Sequence, residues 1–68
     1  MILTQTRVLW LKVGQWFTLK NDVNATQYYC TAITPVSNGC VRITIKGSEK
    51  TQTFTYHQDH VIYKVNKG

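Results

Sequence analysis

Apolar and polar residues alternate in three consecutive runs, at positions 28–36, 40–46 and 51–56, with turn-forming residues between them. A period of two is that of a half-buried strand. Between the first two runs stands Asn38-Gly39. Both residues tolerate the positive φ of a type I′ turn, and that dipeptide between alternating strands signals a hairpin. With the pair as a two-residue loop, Ser37 faces Cys40, Val36 faces Val41, Thr34 faces Ile43 and Ala32 faces Ile45 across an antiparallel ladder. A second turn at Gly47-Ser48-Glu49-Lys50 returns Thr51 opposite Lys46, Phe54 opposite Ile43 and Tyr56 opposite Val41. The prediction is a three-stranded meander with one apolar face. Its outward face then displays Tyr29, Thr31, Ile33, Arg42, Thr44, Lys46, Thr51, Thr53 and Thr55.

The flanks add two or three strands. Residues 15–19 alternate, with Phe17 and Leu19 on one side and Trp16 and Thr18 on the other. Gly14 punctuates the chain before them, and residues 21–26 are a polar loop. Pro35 has no N–H to donate, which places it at a strand edge or the start of a turn. Residues 57–60 are a polar break one helical turn long, and 61–65 resume the alternation. The apolar positions of residues 2–13 fit neither a period of two nor one of 3.6; a strand from about Arg7 is the reading adopted, with residues 1–6 and 66–68 expected to fray. The whole chain, 1–68, is one domain.

This succession resembles an SH3-like small barrel. Residues 13–19, a long loop, two tight hairpins, a one-turn break at Gln58-Asp59-His60 and a last strand at 61–65 follow one another as in that fold. The resemblance covers about residues 13–65 and implies an all-β fold, a small SH3-like barrel of about five antiparallel strands that leaves few open edges. It is a likeness of layout. The acidic first loop and aromatic motif with which SH3 domains hold proline-rich peptides have no counterpart, since residues 21–26 contain one acid and no aromatic ring.

Composition sharpens this picture in three places. Val, Ile, Thr and aromatic residues dominate while Ala occurs only at Ala25 and Ala32, a bias toward strands. Eight Lys and Arg against three Asp and Glu give a net charge of +5, which favours phosphates or acidic surfaces as partners. The longest apolar run near the start, residues 8–11, is shorter than an export signal or a membrane span, so a cytoplasmic protein with no membrane association is expected.

Candidate chemistry is sparse. Cys30 and Cys40 fall on opposite faces of the predicted hairpin, too far apart for a disulfide, and are expected as free thiols. With His57 and His60 they supply four potential metal ligands, but without the close pairs of structural zinc sites, so no metal and no other cofactor is expected. Cys40 has no predicted histidine neighbour to act as base, and Asp22, Glu49 and Asp59 lie in separate loops. No glycine-rich phosphate loop occurs. The chain is therefore expected to be non-enzymatic.

Binding is the remaining reading. Arg42, Lys46, Tyr29, Thr44 and Lys50 form a candidate nucleic-acid surface: cations neutralise phosphates, hydroxyls hydrogen-bond to them, and tyrosine stacks on an unpaired base. Lys12, Lys20 and Lys64 would extend the positive field. The alternative is a protein partner held by an aromatic-apolar patch of Trp16, Tyr29 and Ile33, as in a small accessory, regulatory or viral protein.

Overall fold

Asn38 (φ 62°, ψ 31°) and Gly39 (φ 74°) both take left-handed conformations in the computed structural model, and the Cys40 N–H closes the turn on the Ser37 carbonyl. These are the hallmarks of the expected type I′ turn. The adjoining pair is not regular, because the Val36 N–H also donates to the Cys40 carbonyl at 2.9 Å. Val36 and Ser37 thus share one partner, a β-bulge that displaces the register by one residue. Ile33 consequently faces Ile43, and Thr34 faces Arg42, where the simple hairpin paired Thr34 with Ile43. A second irregularity between Cys30 and Ala32 restores the original side, so that Cys30 pairs with Ile45 and Tyr29 with Lys46.

The structure describes residues 2–46 and 50–66. It is all-β, with strands β1 (Ile2–Arg7), β2 (Trp16–Thr18), β3 (Tyr28–Pro35), β4 (Cys40–Lys46), β5 (Thr51–His57) and β6 (Val61–Asn66). They form one antiparallel sheet in the order β1-β6-β2-β3-β4-β5, so β1 and β5 are its edges. The β4–β5 ladder follows the predicted register: Val41 faces Tyr56, Ile43 faces Phe54 and Lys46 faces Thr51. The Gly47-Ser48-Glu49 part of the expected second turn lies outside the described residues. Among those described, no helix is long and apolar enough to cross a membrane.

The N-terminal segment departs most from expectation. The strand ends at Arg7 instead of starting there, pairing with β6 from Ile2 opposite Asn66 to Arg7 opposite Val61. Residues Val8–Trp10 then form a 3-10 turn. That turn repeats every three residues, which explains why Val8 and Leu11 are buried while Leu9 and Trp10 between them are exposed.

The core gathers one side of β2 to β6 together with the 3-10 turn. Val8, Leu11, Phe17, Cys30, Val41, Ile43, Ile45 and Ile62 are buried together, with Leu19, Tyr28, Ile33, Phe54 and Tyr56 packed against them. Aromatic rings run through it from Phe17 to Tyr28 (5.7 Å), Phe54 (5.3 Å) and Tyr56 (5.8 Å), ending where Tyr56 stacks on His60 at 4.4 Å. One end of the bent sheet is tied by backbone hydrogen bonds: Gln58 N–H donates to Gly39, Leu9 N–H to Gln58 and Val8 N–H to His60, at 2.8–3.0 Å. The break at 58–60 thereby joins the hairpin turn to the 3-10 turn. Arg7 approaches Asp59 beside it at 3.6 Å, an exposed pair of small energetic weight.

Candidate nucleic-acid interface

Register places one residue from each of four neighbouring strands in a row. Trp16 of β2 faces Tyr29 of β3, Tyr29 faces Lys46 of β4, and Lys46 faces Thr51 of β5. Direct partners in an antiparallel ladder project from the same side of a sheet, with Cβ atoms about 5 Å apart. The side is the outward one, because Phe17 beside Trp16 and Cys30 beside Tyr29 are both fully buried. The rings of Trp16 and Tyr29 meet at 5.1 Å between centroids with a tilt of 56°. Trp16 is 38% exposed.

Along β4 from this row, Thr44 comes next, between Ala32 and Thr53, and Arg42 follows one pleat further on, between Thr34 and Thr55. The Thr31 hydroxyl crosses to the Thr44 carbonyl at 3.1 Å. Lys50, exposed, directly precedes Thr51. The structure thus gathers Tyr29, Arg42, Thr44, Lys46 and Lys50 on or beside one face. None of the six strands contains Asp or Glu, so no carboxylate within the sheet offsets these cations.

Not every predicted residue joins them. Ile33, expected outward, turns to the core because the bulge at Val36-Ser37 exchanges the faces of that stretch. Thr18, expected beside Trp16 on the outward side, is fully buried and donates its hydroxyl to the Lys20 carbonyl at 2.7 Å. Lys64 faces Phe17 across β2 and β6, which puts it on the side away from Trp16. Lys20 instead lines a cleft of about 340 Å³ between Leu19 and Tyr28, where Asp22 Oδ1 accepts the Asn24 N–H.

Two neighbours of the face were not anticipated. Gly14, at φ +90°, lies under Tyr29: a Cβ there would stand 3.8 Å from the tyrosine oxygen. Its tight turn, with Gln15 N–H donating to the Lys12 carbonyl, brings Lys12 to the Trp16 and Tyr29 end of the row. The second is His57, which faces Cys40 across β4 and β5, contrary to the expectation that Cys40 has no histidine beside it. Extending the Val41–Tyr56 pairing by one residue would have shown this. His57 Nδ1 accepts the Asp59 N–H at 3.1 Å, which leaves the neutral ring's proton on Nε2. No hydrogen bond joins that ring to the thiol among the described residues, so the pair does not form the nucleophile-base contact of thiol catalysis. Nor do three potential ligands converge on one point there.

Both cysteines are free, Cys30 buried and Cys40 half-buried. Burial pushes the Cys30 thiol above its ordinary value. Iodoacetamide should therefore label the half-buried Cys40 in the native protein and Cys30 only after denaturation, since burial shields the Cys30 thiol and disfavours its reactive thiolate. Intact mass before and after urea reads this directly; native labelling of both would contradict the buried placement of Cys30.

Comparison of the chain with protein-family models, curated proteins and solved structures returned no match.

Proposed function

We propose that this is a small non-catalytic module that binds nucleic acid through the outward face of β2 to β5. The observation that carries the reading is the row Trp16, Tyr29, Lys46 and Thr51, with Arg42 further along β4, on strands devoid of acidic residues. Cations so placed neutralise phosphates and release counterions, while threonine hydroxyls hydrogen-bond to phosphate oxygens. The net charge of +5 adds long-range attraction. We read the sheet as an SH3-like barrel: β2 to β6 follow the chain order and one-turn break of that layout, and β1 adds a strand. The protein-partner alternative loses Ile33 from its proposed patch, since that side chain packs inward.

Fluorescence anisotropy with labelled DNA and RNA tests the reading. Affinity should fall steeply with salt, and Arg42→Glu with Lys46→Glu should weaken binding for every sequence. Converting both cations should also lower the slope of log affinity against log salt by about two phosphate contacts' worth. Absence of binding to any DNA or RNA at low salt would end this proposal.

A further inference from the structure

Arg42 and Lys46 explain attraction to any polyphosphate, but the aromatic pair beside them has no role in charge neutralisation. Trp16 and Tyr29 stand on adjacent strands with their rings 5.1 Å apart, on the outward side of a sheet whose opposite side holds the core. Two large rings on that face are positioned by register and by the glycine under Tyr29. Cations border them on either side: Lys12 belongs to the turn at one end, and Lys46 faces Tyr29 at the other. The row from β2 to β5 spans three inter-strand intervals, roughly 14 Å at about 4.8 Å each.

Resting on the function proposed above, we infer that the ligand is single-stranded nucleic acid, with an unpaired base stacked on Trp16 against the edge of Tyr29 while Lys46 holds the adjoining phosphate. The chemistry discriminates between strands and duplexes. Bases inside a duplex already stack on one another and offer no free face, whereas a single strand offers one at every nucleotide. A tilted aromatic pair bordered by cations suits such a base, because stacking is indifferent to sequence and the neighbouring charges track the backbone. The strand then runs along the row, across the β-strands, which keeps its phosphates within reach of Lys12, Lys46 and Lys50 in turn.

The test measures anisotropy with labelled oligodeoxyuridylate, oligouridylate and a duplex DNA of matched length, on the parent protein and four variants. Trp16→Leu should weaken binding to both single strands by about tenfold and leave duplex binding unchanged. Trp16→Phe, which retains a ring, should restore most of the loss. In a Trp10→Phe background Trp16 is the sole tryptophan, and its fluorescence should be quenched by the single strands and not by the duplex. A preference for oligouridylate over oligodeoxyuridylate assigns the site to RNA, and the reverse assigns it to DNA. If a folded Trp16→Leu protein binds single strands as the parent does, while Arg42→Glu with Lys46→Glu abolishes binding to all three probes, stacking is refuted and charge-driven binding stands. If the parent binds none of the probes at low salt, both readings fall together.

Discussion

Phe17→Ala should remove about half of the protein's folding stability. Phe17 is fully buried, and its strand pairs on one side with β3 and on the other with β6. With only three residues, β2 has few other means of holding those neighbours together. Removing a buried phenylalanine ring costs about 3–5 kcal/mol, through lost transfer free energy and the cavity left behind. At roughly 0.05–0.15 kcal/mol per residue, a domain of this size has a total stability of only about 3–10 kcal/mol. The tyrosine ring 5.7 Å away would face the void. Near-ultraviolet circular dichroism and a urea titration decide the matter. A variant with the parent's midpoint would show that β2 is not the strand on which the two halves of the sheet depend.

Gly39→Val should be the next most damaging change. The backbone there has φ +74°, and an added Cβ would lie 3.2 Å from His57 Nε2. A β-branched residue in that conformation is strained by about 1–3 kcal/mol. The close approach adds less, because an imidazole edge at the end of a side chain can move. Gly39→Asn separates the two effects, since asparagine tolerates left-handed backbone yet carries the same Cβ. The asparagine variant should therefore melt between the parent and the valine variant. A valine variant melting with the parent would remove the type I′ assignment.

Which parts of this fold the sequence disclosed follows from how local each signal is. The type I′ turn needs only two adjacent residues able to take positive φ, and Asn38-Gly39 supplied them. The β4–β5 register was legible because an uninterrupted alternation leaves one pairing that buries Ile43, Val41, Phe54 and Tyr56 together. The register of β3 was not, since a bulge inserts one residue into the count and Val36-Ser37 carries no side chain that announces it. Two such insertions in one strand explain a mixed outcome: Cys30 turns inward, Ile33 turns inward against expectation, and Tyr29 keeps its place outside. Residues 8–11 were opaque for a different reason, as a three-residue repeat that completes only one turn has no visible period. The Trp16–Tyr29 contact needed knowledge of which strands are neighbours, which alternation alone does not hold.

The two outermost strands carry a liability that the central ones do not. From Ile2 to Thr6 and from Thr51 to Tyr56 no side chain is charged, and neither stretch contains proline, the usual devices by which a sheet discourages a second copy from lining up against it. What holds molecules apart is the mutual repulsion of their surplus cations, most of them on inner strands or connecting segments, and that repulsion reaches only about 8–10 Å in salt of physiological strength. Ionic strength thus governs this molecule's company with its own copies: salt that screens the surplus cations lets bare strand margins meet, so concentrated stocks should keep best in dilute buffer.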